Sequence, residues 1–196
     1  MIMRELTSVE RAYFHESYLT DDFHGGELKP IEFIEDLIKK GMYLCYGFFE
    51  EDETLGYAYF VKTNKGKALL LEYFAVAKSL RSKGYGSSFL AEIKSNLYGK
   101  YNVIIIEVEN PDYAYDETNR TMRRRRIDFY LRNGFCKRNI LSRIVAEEYL
   151  IMTMDLGKQL HSRMLYGSLL YLYRYMYGWK FMLKHISIRT NKAELT

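Results

Sequence analysis

Hydrophobic and polar positions in the first part of the chain follow two helical patterns. Thr7 and Glu10 form a Thr-x-x-Glu capping box, which predicts a first helix over about residues 8–20. Pro30 stands where a second helix can begin, and the apolar positions after it keep a helical spacing until Gly41. The segment between these two patterns, DDFHGGELKP, is polar and is predicted to be a loop.

Three apolar runs follow the second predicted helix, and each has the aromatic and aliphatic content of a strand. Short polar turns, EDE and TNKG, separate them, so the sequence predicts an antiparallel β meander. The three runs are MYLCYGFFE, TLGYAYFVK and KALLLEYFAV.

The next part of the chain predicts a helix, a strand, a second helix and a second strand. SSFLAEIKSNLYG has helical spacing, and YNVIIIEVEN suits a buried strand. After a predicted loop, PDYAYDETN, the segment RTMRRRRIDFYLRNG predicts a helix with Ile127, Tyr130 and Leu131 on one side and Gly134 at its end. EEYLIMTMDL predicts a late strand. This order indicates a mixed α/β (α+β) domain in which helices pack on a central sheet.

The C-terminal segment differs from the rest in composition. We expect a domain over residues 1–156 and a helical extension over residues 157–196, rich in Tyr, Leu and Met. Two interpretations stay open. The extension packs on the domain as an extra helix, or it forms a dimer surface, because large apolar patches are seldom left in water. Its cations are too sparse for an amphipathic membrane helix.

Composition and charge narrow the class of protein. The chain has 196 residues, of which 48% are hydrophobic and 16% aromatic, so a folded core is expected. The net charge of +4 suits an anionic ligand but does not by itself indicate nucleic acid. Cys45 and Cys136 have no metal or redox spacing, so no metal site is expected. With neither a signal peptide nor a transmembrane run, the protein is expected to be cytoplasmic.

The segment LRSKGYGSSFL, residues 80–90, has the features of an anion-binding turn. Gly84 and Gly86 precede a predicted helix, and glycine lets backbone N–H groups approach a ligand closely. The N-terminus of a helix adds unpaired N–H donors and the positive end of its dipole, which favour a phosphate. The segment is not a P-loop, because it lacks a Gly-Lys-Ser/Thr triplet. It is not a dinucleotide fingerprint either, because Phe89 occupies the third glycine position.

Two motifs resemble the GNAT superfamily of N-acetyltransferases. VAKSLRSKGYG is similar to the family's acyl-CoA motif, V-x-x-x-x-R/Q-x-x-G-x-G/A, and FYLRNGF resembles its later pattern of an aromatic–Tyr pair followed by Gly-Phe. The resemblance covers about residues 1–155. It implies a mostly antiparallel central sheet flanked by helices. It also implies direct transfer of an acetyl group from acetyl-CoA to a primary amine of a small molecule or peptide.

The resemblance assigns the cosubstrate to backbone groups. A row of N–H groups would hold the pyrophosphate of coenzyme A. They belong to Arg81, Ser82, Lys83, Gly84, Tyr85, Gly86 and Ser87. The preceding strand would pair with the pantetheine arm through Phe74, Ala75 and Val76. The alternatives are an ordinary core strand and, for the charges of Arg81 and Lys83, a solvated loop.

Two side chains are candidates for proton transfer. Tyr130 matches the position where many family members use a tyrosine as general acid toward the departing thiolate, and the alternative is a buried aromatic residue. Glu72 shares a strand face with Phe74 and would accept the amine's proton, directly or through water. Its alternative is a structural or substrate-orienting role. Glu107 and Glu109, on the next strand, are weaker candidates that could attract a cationic acceptor.

The arginine run departs from the family pattern. Arg123 and Arg126 stand where many relatives have an asparagine and a small residue. The run RTMRRRR either forms a solvated face paired with Asp112, Asp116 and Glu117, or reaches a nucleotide phosphate or an acidic acceptor.

Two other classes of function compete with the acetyltransferase interpretation. One is a CoA-binding regulatory module without turnover, and the other is a nucleic-acid-binding protein that uses the arginine run. We expect neither nucleic acid nor membrane as a partner, and a monomer or a homodimer.

Overall fold

The computed structural model describes residues 1–23, 27–51, 53–63 and 68–190. Within these residues the strands are β1 (Ile2–Glu5), β2 (Tyr43–Glu50), β3 (Glu53–Lys62), β4 (Ala68–Val76), β5 (Val103–Glu109), β6 (Cys136–Ile144), β7 (Glu147–Asp155) and β8 (Ile186–Thr190). The α-helices are α1 (Ser8–Phe14), α2 (Thr20–Asp22), α3 (Ile31–Lys39), α4 (Tyr85–Leu97), α5 (Glu117–Arg132), α6 (Ser162–Tyr177) and α7 (Trp179–His185).

The strands form one mixed sheet in the order β1-β2-β3-β4-β5-β7-β6-β8. The pair β4–β5 is parallel, with Ala68–Leu70 beside Val103–Ile105. The pairs β1–β2, β2–β3, β5–β7, β6–β7 and β6–β8 are antiparallel. The structure therefore confirms the predicted mixed α/β fold, with a mostly antiparallel sheet flanked by helices.

One compact unit comprises Met1–Lys62 and Leu71–Asn96. Its first helical stretch begins with the predicted capping box. The side chain of Thr7 accepts a hydrogen bond from the Glu10 amide at 3.3 Å, and the Glu10 carboxylate accepts one from the Thr7 amide at 2.8 Å. The stretch continues through a π-helical segment, His15–Leu19, into α2, so the predicted single helix has a change of helical type inside it.

The sheet part of this unit confirms the first predicted hairpin. Strands β2 and β3 pair from Tyr43↔Val61 onward, with a bulge at Phe48/Phe49, and β3 is the neighbour of β4. Helix α4 packs on this part of the sheet through Phe89, whose ring stacks on Phe48 at 4.2 Å between centroids. Because both rings are fully buried, this contact fixes the start of α4 against the strands.

The other compact unit comprises Thr63–Leu70 and Leu97–Thr196. It contains two strands, β6 and β8, that the sequence pattern did not predict. Strand β6 has mixed polar and apolar positions, and its register is irregular between Lys137 and Leu141. Its sequence therefore lacks the regular alternation of apolar and polar residues that would predict a strand. Strand β8 pairs with β6 along Ile140↔Thr190 to Ile144↔Ile186. Short β1, in the first unit, was also not predicted.

Helix α5 buries only part of the side that carries Ile127, Tyr130 and Leu131. Ile127 is buried, Tyr130 is half-buried, and Leu131 is 40% exposed. The other buried positions, Asn119 and Arg123, continue the spacing of Ile127 in steps of four. The buried face is therefore largely polar, which a hydrophobic pattern cannot indicate. The helix begins earlier than predicted, capped by Asp116, whose carboxylate accepts from the Asn119 amide at 2.6 Å.

The C-terminal segment contains the predicted helix, α6, followed by α7 and β8. Its buried side is formed by Leu165, Leu169, Leu172, Tyr173 and Met176. These residues support packing of the extension as an extra helix, while the division into residues 1–156 and 157–196 stays a prediction. No helix in the described parts of the chain has the length and hydropathy needed to cross a membrane.

Candidate functional site

The segment between β4 and α4 is a turn with two residues in the left-handed region. A 3-10 turn, Lys78–Leu80, follows the end of β4. Ser82 then has φ +64° and Gly84 has φ +90°, and α4 begins at Tyr85. A Cβ atom at Gly84 would meet nothing within 4 Å, so the space beside this part of the turn is open. The requirement for glycine at residue 84 comes from the backbone angle and not from crowding.

The amides of this turn divide into two groups. Arg81 donates to the Lys78 carbonyl at 3.4 Å, and Ser87 donates to the Gly84 carbonyl at 3.0 Å, so two of the seven predicted amides are already engaged inside the fold. For the five amides from Ser82 to Gly86, the described residues supply no hydrogen-bond acceptor. They precede and enter the first turn of a 13-residue helix. The turn therefore offers a row of N–H donors together with the positive end of a helix dipole.

The side chain of Arg81 fixes the turn to its neighbours. Its Nε donates to the Val76 carbonyl at 3.0 Å, and Nη2 donates to Asp22 Oδ1 at 2.5 Å. The other oxygen of Asp22 accepts from the Tyr57 hydroxyl at 2.9 Å. Arg81 is thus a brace between the end of β4 and α2, while 49% of its side chain stays exposed to solvent. Lys83, by contrast, is exposed.

The carboxylate of Glu72 has a partner on each oxygen. Oε1 accepts from the Lys29 ammonium, and Oε2 accepts from the Tyr43 hydroxyl, both over short distances. Only 7% of the Glu72 side chain is exposed. Burial, reinforced by the negative charge of Glu72, raises the pKa of Tyr43 well above its ordinary value, so Tyr43 stays a donor to this carboxylate.

Lys29 is held in place through its backbone as well. Its amide donates to the Tyr73 hydroxyl at 3.0 Å, and its carbonyl oxygen lies 2.8 Å from His15 Nε2. The Tyr73 hydroxyl in turn donates to the Glu27 carbonyl at 2.9 Å. The loop that carries Lys29 is therefore anchored at the strand that carries Glu72.

Tyr130 lies in the last turn of α5, within a Schellman motif that accounts for the spacing FYLRNGF. Gly134, at φ +86°, donates to the Leu131 carbonyl, and Phe135 donates back to the Tyr130 carbonyl, each at 3.1 Å. The ring of Phe135 then packs on the Tyr130 ring with 5.2 Å between centroids. Gly134 permits the chain reversal because of its positive φ angle, and Phe135 holds the Tyr130 ring in position by packing against it.

The surroundings of Tyr130 keep its hydroxyl protonated. The residue is half-buried, and burial raises the pKa of Tyr130 to about 12. The positive charge of Arg126 opposes that rise in pKa, and the negative charge of Glu109 adds to it. Arg126 and Glu109 form an ion pair with each other, which links α5 to β5. At neutral pH Tyr130 can therefore donate a proton or a hydrogen bond.

The remaining acidic and arginine candidates are engaged in internal contacts. Glu107 accepts from the Ser142 hydroxyl at 2.9 Å and from the Tyr173 hydroxyl. Arg123 is 6% exposed and binds both oxygens of Glu147, at 2.7 and 3.1 Å.

The partners of the arginine run therefore differ from the predicted ones. Arg120 pairs with Glu117, which was one of the predicted partners. Arg123 pairs with Glu147 and Arg126 with Glu109, and neither of these partners was predicted. Asp116 serves as the helix cap. The prediction of a solvated arginine face was wrong for Arg123, because that side chain is buried in an ion pair.

The structure brings together most of the predicted site in one compact unit. Glu72, the strand segment Phe74–Val76 and the turn Arg81–Ser87 all belong to the unit that contains Met1–Lys62, whereas Tyr130 belongs to the other. Three groups at the site were not predicted from sequence. They are Asp22, Lys29 and Tyr43, which lie far along the chain from their partners and belong to no local motif.

Comparison with known proteins agrees with the fold and with the two motifs. Residues 42–137 match the family model described as an acetyltransferase (GNAT) domain. Among curated proteins no sequence matches this chain. A GNAT-family protein from Bacteroides thetaiotaomicron is similar in structure, with a TM-score of 0.71 and 23% identity over 91% of this chain and 99% of that one.

Two further solved structures share the fold at lower identity. One is the ribosomal-protein-S18-alanine N-acetyltransferase from Escherichia coli, with a TM-score of 0.56 and 14% identity over 82% of this chain and 97% of that one. The other is a spermidine N-acetyltransferase from Vibrio cholerae in complex with CoA and spermine, with a TM-score of 0.59 and 10% identity over 79% of this chain and 95% of that one. At these identities the likeness concerns the fold.

Proposed function

This chain belongs to the GNAT superfamily of acetyltransferases, and we propose that it transfers the acetyl group of acetyl-CoA directly to a primary amine. The observation that carries the proposal is the turn before α4, where the five amides from Ser82 to Gly86 have no hydrogen-bond acceptor among the described residues. Oriented N–H donors at a helix N-terminus bind phosphate. The diphosphate of coenzyme A has the charge and the acceptor oxygens that such a turn requires.

The strand before the turn would guide the rest of the cosubstrate. Phe74, Ala75 and Val76 end β4 and are half-buried, as expected for positions that pair with a pantetheine arm by adding a strand. The carbonyl of Val76 already accepts from Arg81, so the pairing would use the other backbone groups of the segment. Arg81 supports binding by holding the turn, and its charge is shared with Asp22.

Proton transfer would use Glu72 and Tyr130. An amine must lose a proton before it attacks the thioester, and Glu72 is a carboxylate on the face of β4 that also carries Phe74. Tyr130 would donate to the sulfur that leaves. Because its pKa of about 12 lies above the ordinary thiol value of about 8.5, complete proton transfer is uphill, and Tyr130 would act mainly as a hydrogen-bond donor to the thiolate. No cysteine is needed as an acyl carrier in this scheme.

The acceptor would be a primary amine of a small molecule or peptide. Two proteins with this fold support that class: by their names one acetylates spermidine and the other an alanine of a ribosomal protein. We propose a primary amine as the acceptor class, and an assay with a panel of amines would identify the acceptor. A cytoplasmic location stays a prediction.

One observation favours a second candidate, a CoA-binding regulatory module without turnover. Each oxygen of the Glu72 carboxylate already accepts a hydrogen bond, one from Lys29 and one from Tyr43, before any substrate amine arrives. An assay of thiol release from acetyl-CoA with a panel of primary amines, beside a calorimetric titration with CoA, separates the two candidates. Thiol release that depends on an amine supports the transferase. CoA binding without thiol release for any amine supports the regulatory module, and failure to bind CoA overturns both.

A further inference from the structure

Lys29 and Glu72 form an ion pair that is largely withdrawn from solvent. The exposed fractions of the two side chains are 14% and 7%. Two lysine–aspartate pairs of this chain are, in contrast, open to solvent, with exposed fractions of 57% and 54% for Lys40–Asp36 and of 64% and 66% for Lys78–Asp21. Among the lysine ion pairs of the described residues, only the pair at Lys29 is largely buried. Exposed pairs such as the other two contribute little to stability.

The position of Lys29 does not depend on its side chain alone. The amide of Lys29 is bound to the Tyr73 hydroxyl, and its carbonyl lies within hydrogen-bond distance of His15. Tyr73 follows Glu72 directly on β4. The amine and the carboxylate are therefore held together by contacts on both sides, as a reactive pair would need to be.

The proposed path of the cosubstrate leads toward this pair. The turn that would bind the diphosphate follows β4, and the strand segment that would bind pantetheine runs from Val76 back to Phe74. Glu72 lies two residues further back, about 7 Å along the strand, on the same face as Phe74. The thioester end of the cosubstrate would therefore approach the carboxylate at which the Lys29 amine lies.

We propose that the protein acetylates its own Lys29. The inference rests on the proposed function, since it uses the same cosubstrate and the same carboxylate. The ammonium of Lys29 gives one proton to Glu72, and its nitrogen forms a bond to the acetyl carbon. The bond between that carbon and sulfur breaks, and the thiolate leaves with the electron pair and takes up the second proton that the attacking nitrogen loses. The products are acetyl-Lys29 and free coenzyme A, and no oxidant or reductant is needed.

The modification changes the site itself. Acetyl-Lys29 carries no charge, so its ion pair with Glu72 is lost. Once Glu72 has released the proton that it took from Lys29, its carboxylate keeps the Tyr43 hydroxyl as its one donor among the described residues and can accept the ammonium of a second amine. Lys29 is accordingly the first acceptor of this enzyme, and its acetylation exposes the carboxylate to others.

The test uses the purified full chain with acetyl-CoA and no added amine, followed by peptide mass spectrometry of each lysine over time. We expect Lys29 to be acetylated at least ten times faster than Lys40 and Lys78, at a rate that does not change with protein concentration. Acetic anhydride should give the reverse order, because it modifies exposed amines first. The variant Glu72→Gln should remove the preference for Lys29. Heat-unfolded chain should also show none, a control that does not depend on the folding of a variant.

The outcomes separate this inference from the proposed function. Thiol release with added amines but no preference for Lys29 overturns self-acetylation and leaves the transferase standing. Equal acetylation of Lys29 in the wild type and in Glu72→Gln, with both folded, shows non-enzymatic chemistry and also overturns it. Absence of CoA binding overturns the proposed function and the inference together. Selective acetylation of Lys29 that requires the folded chain and Glu72 supports both.

Discussion

The guanidinium of Arg81 donates to the carbonyl oxygen of Val76 at 3.0 Å, which ties the turn before α4 to the strand that precedes it. The same side chain binds Asp22 at 2.5 Å. The side chain at the arginine position of the acyl-CoA motif therefore acts on the backbone of its own chain. It shapes the row of amides and does not need to touch the ligand.

Replacement of Arg81 by alanine should weaken CoA binding without removing any ligand contact. We expect a loss of about tenfold, corresponding to about 1.4 kcal/mol, because the turn loses the hydrogen bonds that hold it. Isothermal titration with CoA measures this effect. Lys78→Ala is the matched control, since Lys78 makes an exposed ion pair with Asp21 beside the same turn. Equal affinities for wild type and Arg81→Ala would show that the brace is unimportant.

Replacement of Gly84 by alanine should strain the turn. A residue with a Cβ atom pays about 1–2 kcal/mol in the left-handed region, and Gly84 has φ +90° with open space around it. Gly99→Ala is a control with the same kind of strain, at φ +72° and again in open space, but outside the turn. Both variants should lower the melting temperature, and only Gly84→Ala should weaken CoA binding. A similar loss of affinity in Gly99→Ala would contradict this account.

Tyr130→Phe should slow acetyl transfer while leaving CoA affinity unchanged, because the ring still packs on Phe135. Loss of a donor to the departing sulfur predicts a decrease in kcat of about a hundredfold. The pH profile gives a second check. Since burial raises the pKa of Tyr130 to about 12, the hydroxyl stays protonated through pH 10, and the wild-type rate should not fall with an apparent pKa near 10. Such a fall, absent from Tyr130→Phe, would contradict the assigned pKa.

The capping box of α1 should make stability depend on acid pH. A hydrogen bond from Arg4, followed by one from the Thr7 amide, lowers the pKa of Glu10 to about 2. Between about pH 4.5 and pH 2 the unfolded chain binds a proton at Glu10 and the folded chain does not, so stability falls as the pH falls through this range. Melting temperatures measured across the range, with Glu10→Gln as the comparison, test this. The variant should be less stable at neutral pH and should show a weaker dependence on acid pH.

Local chemistry made several elements predictable from sequence. The Thr7–Glu10 box, the glycines around α4 and the Gly134–Phe135 reversal each act within a few residues of the element that they start or end. Long apolar strands such as β5 are recognisable because a strand that is buried on both faces has a continuous run of hydrophobic residues.

The features that were not predicted depend on partners far along the chain. Burial of Arg123 requires Glu147, and the pair at Glu72 requires Lys29 from a loop 43 residues earlier. Strand β8 forms by pairing with the edge of β6, and no local sequence pattern indicates this pairing. Long-range pairing therefore determined both the missing strands and the unpredicted groups of the site.

The most direct test of the central claim is an amide NMR titration of the 15N-labelled protein with CoA and, separately, with pantetheine. CoA should shift the amide signals of residues Ser82 to Gly86 strongly, and pantetheine, which lacks the diphosphate, should leave them nearly unchanged. The amide signals of Arg81 and Ser87 should change less, because these amides already donate inside the fold. If CoA does not shift the signals of the five amides, or if pantetheine shifts them equally, the turn does not bind the diphosphate and the proposed cosubstrate site is wrong.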